Sequence, residues 1–178
     1  MTGPPDDADV AAAQLGRPLR SSVQVVARCP LGLPTVVEVP PVLDDGTPFP
    51  TTWYLTCPLA TKRIGRLEAA GGVRRLERWA EHEPAFGAEL EAAHARYATA
   101  RDARLAPGTS PAPSGGVGGT RTGIKCLHAH YADHAAGNAN PVGRVVVPFV
   151  EPLDCTEPCF VVDAHGGVVA NPAWREPR

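Results

Sequence analysis

SVQVVARCPLGLPTVVEV, residues 22–39, decides the fold because two strand-like runs flank a short connection rich in proline and glycine. Val23, Val25 and Ala27 alternate along the first run, and residues 35–39 repeat the strand pattern. A period of two is typical of a half-buried strand, and proline and glycine favour tight turns. The segment therefore predicts two antiparallel strands joined by a tight connection.

A third strand follows this pair. Pro40 and Pro41 cannot lie inside a hydrogen-bonded ladder, and DDG at residues 44–46 is a turn signal. Residues 49–56 are then rich in β-branched and aromatic side chains, which favour strands. We expect a three-strand antiparallel meander.

The C-terminal part contains three further strand-like runs, at residues 145–150, 160–163 and 167–170. Gly166-Gly167 separates the last two runs and suits a tight hairpin turn. We therefore expect a short strand followed by a C-terminal hairpin.

Helical patterns fill most of the remaining sequence. A short N-terminal helix is expected to end at Gly16, and a longer helical pattern starts at Pro58 and is interrupted at Gly71-Gly72. The pattern after Pro84 predicts the most regular helix. The predicted fold class is α+β, with a small antiparallel sheet (the meander plus the C-terminal hairpin) covered by three or more helices in a single domain.

The 178 residues are an ordinary length for one domain. We assign an N-terminal helix or arm to residues 1–16, a single α+β domain to residues 17–150, and a tail with a hairpin to residues 151–178. The stretch 106–122 is rich in glycine, proline and serine, and such composition predicts a mobile loop.

Charge and hydropathy argue against several classes of function. The formal net charge of -2 provides no basic field for nucleic acid or anionic lipid. No run is apolar enough for membrane insertion, and the first ten residues lack a leader pattern. We expect a cytoplasmic protein, whose five cysteines, an odd number, remain thiols.

KCLHAHYADH, residues 125–134, concentrates metal-ligating side chains. On a helix His130 lies about 40° from Cys126, and Asp133 lies about 20° to the other side. His134 lies about 80° away, and His128 points to roughly the opposite face.

Zinc in structural sites takes four cysteine or histidine ligands from separate segments. The preferred predicted set is Cys29, Cys57, Cys126 and His130, because Cys29 and Cys57 each close a predicted strand; His134, Asp133 or His128 could replace His130. Buried structural thiols are the alternative. Three or more thiolates also leave an iron–sulfur cluster open.

The other cysteines and histidines rank lower in this interpretation. Cys155 and Cys159 could be a second ligand pair or a redox pair, although ordinary loop cysteines are favoured. His82 and His94 lie on charged helical faces and are expected to be solvated.

Catalysis has weaker support in the sequence, and whether the protein is an enzyme stays open. No serine lies in a nucleophile elbow. Arg121 and Lys125 predict a weak site for a small anion near a helix start. Cys126 could act as a thiolate nucleophile with a histidine base on a small substrate, phosphorylated substrates included.

Five motifs together resemble a known family: RCPLG from residue 28, DGTPFPT from residue 45, WYLTCP from residue 53, KCLHA from residue 125 and NPVG from residue 140. The chain resembles the actinobacterial proteins grouped as domain of unknown function 501. The resemblance implies a bacterial cytosolic protein and no particular activity. The family's genes often lie near genes for septum-initiator-like and exopolyphosphatase-like proteins, which implies a protein partner in cell division or a link to phosphate metabolism.

The resemblance also bears on the ligands. Cys29, Cys126 and His128 match the family pattern, a Cys or His stands at the position of Cys57, and a His often stands where this chain has Asp133. If the segment starts as a turn, Cys126 and His128 can face one ion. The leading hypothesis is one zinc ion in a mainly structural role.

Overall fold

The computed structural model describes residues 6–177, and its central feature is a three-stranded antiparallel sheet in the order β1-β2-β3. The strands are β1 at Gln24–Arg28, β2 at Pro34–Glu38 and β3 at Trp53–Leu55. Val36 in β2 pairs with Ala27 on one side and with Leu55 on the other. The predicted meander is therefore confirmed.

The central strand β2 is covered on both faces. Val36 belongs to the main core, whereas Val37 packs in a smaller cluster with Ala11. Neighbouring strand residues point to opposite faces, so each face needs its own cover. Helix α1, Asp7–Leu15, supplies the cover over Val37, and it ends at Gly16 in the left-handed conformation, as predicted.

Within the described part of the chain, five more helices complete the body of the protein. Gly71, with a φ of 84°, separates the first two of them, so the predicted interruption at Gly71-Gly72 is confirmed. The helices are α2 Pro58–Ala69, α3 Gly72–His82, α4 Pro84–Asp102, α5 Leu127–Ala135 and α6 Pro141–Val150. Within residues 6–177, none of these helices combines the length and the apolar character needed to cross a membrane.

The strand predicted for residues 145–150 is wrong, because this valine-rich run lies in α6. The Asn140 side chain accepts a hydrogen bond from the amide of Gly143 at 2.9 Å, and Pro141 occupies the first helical position. These are helix-starting signals. Val146 and Val150 then lie four residues apart on the buried face of the helix, so capping and packing outweigh the strand propensity of valine.

The C-terminal hairpin is confirmed, with β4 at Phe160–Val162 and β5 at Val168–Ala170. Together with the meander and the helices, it makes the fold α+β as predicted.

The loop 106–122 contains a short 3-10 turn, Val117–Gly119, whose Val117 side chain is fully buried. The Val117 amide donates to Nδ1 of His94 at 3.0 Å. A side chain on Gly116 would lie 2.4 Å from the same ring. His94 is thus buried under this loop, so its predicted solvated role is wrong. Mobility of the loop remains a prediction, and residues 1–5 of the predicted N-terminal arm lie outside the described residues.

Candidate metal centre

The predicted ligands fall into three places in the fold. Cys126 and His128 lie at the start of α5, on the wall of a groove. Cys29 and Cys57 line a small cavity next to the sheet. The other three, His130, Asp133 and His134, lie along α5 beyond its first turn.

The start of α5 brings together a three-residue group that we call the helix mouth: Glu68, Cys126 and His128. One ligand atom from each residue lies within 4.8 Å of those of the other two. The Glu68 carboxylate is 3.2 Å from Nδ1 of His128. All three residues are half-buried, so the group is open to solvent on one side.

Capping of α5 explains this arrangement. Cys126 is the N-cap residue with an extended backbone, at φ -154° and ψ 145°, and its own side chain makes no capping bond. The Glu68 carboxylate accepts the Leu127 amide hydrogen instead, at 2.6 Å. An unpaired amide at a helix start attracts a carboxylate, and this contact holds Glu68 beside Cys126 and His128.

The extended backbone of Cys126 corrects the helical-wheel geometry. The helical-wheel prediction places His128 on the face opposite Cys126, which requires Cys126 to lie in the helix. However, α5 begins at Leu127. The structure therefore agrees with a segment that starts as a turn, the alternative given with the family resemblance, and not with a helix that includes Cys126.

The His128 ring is oriented by a second contact. Its Nε2 lies 3.2 Å from the carbonyl oxygen of Thr61. A carbonyl can only accept, so Nε2 carries the hydrogen and donates, and Nδ1 is directed to Glu68. Hydrogen bonding with Cys126 raises the pKa of His128; burial opposes this shift, and the Glu68 charge and the Thr61 carbonyl support it.

Cys126 and His128 of the helix mouth line a groove of about 530 Å³. Two lysines, Lys62 and Lys125, and the Tyr54 ring also line this groove. An anion of small size would find positive charge there.

On the far side of α5, His130 and Asp133 lie against Asn140 and Arg96. We call these four residues the buried face. Nδ1 of His130 lies 3.1 Å from the amide oxygen of Asn140. Asn140 donates to Asp133 at 2.8 Å, and Arg96 donates to the same carboxylate oxygen at 2.5 Å. These bonds hold α4, α5 and α6 together.

At the buried face, burial is the main cause of the pKa shifts, in contrast to the helix mouth. Burial lowers the pKa of His130 to about 4, against the hydrogen bond with Asn140, so its ring is neutral. Burial also raises the pKa of Asp133, while hydrogen bonds from Arg96 and Asn140 oppose that shift. A neutral ring whose Nδ1 is already bonded to Asn140 leaves only Nε2 free, and no Cys or acidic ligand atom forms a three-residue group with it in residues 6–177.

The two residues of the predicted anion site face different cavities. Arg121 lines a cavity of about 1000 Å³ between α4 and the loop 106–122, whereas Lys125 lines the groove at the helix mouth. The joint site remains a prediction, and Lys125 is the member that lies near the candidate centre.

Glu68 is the residue that the sequence interpretation missed. It lies 60 positions from His128, and only the packing of α2 against α5 brings them together. One signal existed: Glu68 occupies the last turn of α2, where a negative charge is unfavourable. An acidic residue at a helix C-terminus is a reason to look for a tertiary partner.

Comparison with known proteins identifies one family. Residues 25–148 match the family model described as "Protein of unknown function (DUF501)". Comparison with the curated proteins and with the solved structures finds no match. The matched stretch runs from β1 into α6 and includes Cys29, Cys57 and the helix mouth. Because the match spans more than half of the chain, the protein belongs to the DUF501 family.

Proposed function

We propose that this protein binds one zinc ion through the carboxylate of Glu68, the thiolate of Cys126 and Nδ1 of His128, and that the ion keeps one position open to the groove. The observation that carries the proposal is the approach of the three ligand atoms to within 4.8 Å of one another. Zinc sites with three protein ligands and a free position are the kind that activate water or bind a substrate.

The donor set favours zinc over other common cations. A thiolate, an imidazole and a carboxylate suit a borderline-soft ion, whereas magnesium and calcium take oxygen ligands. The ligands also have outer-sphere partners, since Thr61 orients His128 and the Leu127 amide orients Glu68. Such contacts fix the direction of metal ligands.

Access favours an open site over a closed structural one. All three ligands are half-buried, and the groove beside them has a volume of about 530 Å³. Lys62 and Lys125 line the same groove. We therefore propose a small anionic ligand, such as a carboxylate or a phosphate ester, as the group that approaches the ion.

A thiol enzyme is the second candidate, and the same residues favour it. Cys126 is the N-cap residue of α5, and a helix N-terminus is a position where nucleophilic cysteines are found. His128 lies close enough to accept or return a proton, and Glu68 lies against the His128 ring. In this function Cys126 is the nucleophile, and no metal is bound at the helix mouth.

Elemental analysis of the purified full chain and two variants tests the first candidate. Cys126→Ser and Glu68→Gln should each lower the zinc content by about one equivalent relative to wild type. Cys126→Ser removes the thiolate with little change in volume, and His82→Gln, on the exposed end of α3, is a matched control that should keep all of its zinc. Unchanged zinc content in Cys126→Ser would overturn the metal proposal.

Alkylation of Cys126 separates the two candidates. A zinc-bound thiolate should react slowly with iodoacetamide and become reactive after treatment with a chelator. A thiol enzyme should instead show rapid alkylation of Cys126 near neutral pH in protein that contains no zinc at the helix mouth, with or without chelator.

A further inference from the structure

Four of the five cysteines line one small cavity beside the sheet. Cys29 directly follows β1, and Cys57 is the N-cap residue of α2. Cys155 and Cys159 come from the segment between α6 and β4. Three separate parts of the chain therefore place cysteine side chains at one cavity. We call Cys29, Cys57, Cys155 and Cys159 the four-cysteine cluster.

The cavity has the size and surroundings of a site for one ion. Its volume is about 10 Å³, which is roughly the space for one water-sized sphere. The other lining residues within 6–177 are all uncharged: Gln14, Leu31, Leu33, Pro34, Leu59, Leu153 and Trp174. In such apolar surroundings the sulfur atoms are the main candidates to meet a cation.

Two sulfurs already accept hydrogen bonds. The indole N–H of Trp174 donates to Sγ of Cys155 at 3.4 Å. The side-chain amide of Gln14 donates to Sγ of Cys159 at 3.9 Å. An indole N–H can only donate, so the Cys155 sulfur acts as an acceptor, as the thiolate ligands of a metal do.

Among the described residues, the lining of the cluster supplies no positive charge to compensate thiolates. Burial raises the pKa of Cys57 to about 11, and the neighbouring Cys159 and Cys29 contribute to the shift. A divalent cation coordinated by these thiols has the opposite effect, because it makes them thiolates.

We propose that Cys29, Cys57, Cys155 and Cys159 form a structural zinc site, separate from the helix mouth, that fastens the C-terminal hairpin to the domain. Four thiolates are a frequent ligand set of closed structural zinc sites. Within residues 6–177 only the helix mouth has three ligand atoms within 4.8 Å of one another. Zinc binding at the four-cysteine cluster therefore includes an inward turn of the thiol side chains about the Cα–Cβ bond.

The position of the cluster gives the ion a role. Residues 151–159 form neither helix nor strand, and this stretch links the main body to the β4–β5 hairpin. Arg63 holds the start of this stretch against the main body, because it donates to the carbonyl oxygens of Val150 and Pro152 at 2.7 and 2.6 Å. A zinc ion on Cys155 and Cys159 would fix the second part of this stretch, because its bonds to Cys29 and Cys57 would tie it to the sheet in the folded state.

Cobalt substitution of the full chain under reducing, anaerobic conditions tests this proposal. Four thiolates around Co²⁺ give intense thiolate-to-metal charge-transfer absorption in the near ultraviolet and strong visible bands. We expect bands of four-thiolate intensity in wild type and in Cys126→Ser, and in the double variant Cys155→Ser/Cys159→Ser a fall to the weaker absorption of the single Cys126 thiolate. The double variant should also lose about one equivalent of zinc that Cys126→Ser keeps.

Two further measurements keep the test decisive if the double variant folds poorly. Cys159→His can still coordinate zinc, so it should retain the metal that Cys159→Ser loses. Hydrogen exchange of residues 160–170 should become faster in wild type after chelation, but not in Cys159→Ser.

Two results would overturn the proposal. One is equal zinc content in wild type and in a folded Cys155→Ser/Cys159→Ser double variant. The other is a disulfide between any two of the four cysteines, found by mass spectrometry in protein isolated with reductant and blocked with an alkylating agent. The outcome is independent of the helix mouth, because Cys126→Ser tests that site alone.

Discussion

His128 and His130 are two residues apart on one helix, yet they have opposite properties. His128 lies at the half-buried helix mouth, where hydrogen bonding with Cys126 raises its pKa. His130 lies on the buried face, where burial lowers its pKa to about 4. The environment of a histidine, and not its place in a motif, therefore determines whether its ring is accessible to a cation or packs in the core.

Loss of the Asp133 carboxylate should have the largest effect and should act on the buried face. Asp133→Ala leaves Arg96 and Asn140 without their partner, and we expect a loss of about 3 kcal/mol in the free energy of unfolding. Denaturant unfolding in the presence of a chelator measures it. Glu89→Ala, which removes an exposed ion pair with Arg144, is the control and should cost about 0–1 kcal/mol. Equal losses in the two variants would contradict the structural role of the buried face.

The lowered pKa of His130 should appear in the pH dependence of the free energy of unfolding. His130 has a folded-state pKa of about 4 against an ordinary value of 6.5, so the unfolded chain binds more protons between these values. Its contribution is therefore complete above about pH 6.5 and decreases as the pH falls towards about 4, by about 3 kcal/mol in all.

Comparison of wild type with His130→Gln checks this prediction. Urea unfolding from pH 7.5 to 4.5 should show a weaker pH dependence in the variant, although His94, whose pKa is also lowered by burial, remains. Asp133 has a shift in the opposite direction, so the difference between the two proteins is the meaningful quantity. Parallel curves would show that His130 does not titrate as the structure indicates.

Metal should stabilise the protein through the helix mouth and not through the buried face. At a zinc concentration about 100-fold above the dissociation constant, stabilisation is about 2.7 kcal/mol. We expect Cys126→Ser to lose this increment, and His130→Gln to keep it on a less stable fold. Thermal unfolding in Cys155→Ser/Cys159→Ser backgrounds, with and without zinc, measures the increment without the four-cysteine cluster. Retention of the increment by Cys126→Ser would contradict the proposed site.

Two glycines give a smaller contrast. A side chain on Gly143 in α6 would lie 2.4 Å from Cβ of His134 and 2.5 Å from the carbonyl oxygen of His130. Gly143→Ala should therefore destabilise the protein by about 1–3 kcal/mol. Gly65 in α2, the helix that carries Glu68, has no neighbour within 4 Å of such a side chain, so Gly65→Ala should stabilise by about 0.5–1 kcal/mol. Chemical unfolding compares the two, and a stabilising Gly143→Ala would show that α5 and α6 do not pack this closely.

The sheet was predictable because its signals are local. The alternation in residues 22–39 and Pro40-Pro41 act within a few residues, and they specify β1 and β2 directly. The strand predicted for residues 145–150 failed because valine favours strands only when the surrounding structure agrees, and here Asn140 starts a helix.

The candidate centre was predictable only in part, because its geometry is tertiary. Cys126 and His128 are among the predicted ligands, but helix geometry alone favours His130 over His128, and the family resemblance adds His128 beside it. The start of α5 at Leu127 reverses that order. Glu68 enters through helix packing alone. The sequence favours loop cysteines over a second ligand pair or a redox pair for Cys155 and Cys159, since their approach to Cys29 and Cys57 depends on where the C-terminal segment lies.

The most direct test of the helix mouth is an anomalous difference map, recorded at the zinc absorption edge from crystals of the full chain. We predict a peak about 2.0–2.3 Å from Sγ of Cys126, Nδ1 of His128 and the Glu68 carboxylate. A zinc-containing crystal with no peak among these three atoms, or with a peak bound to His130 instead, would contradict it.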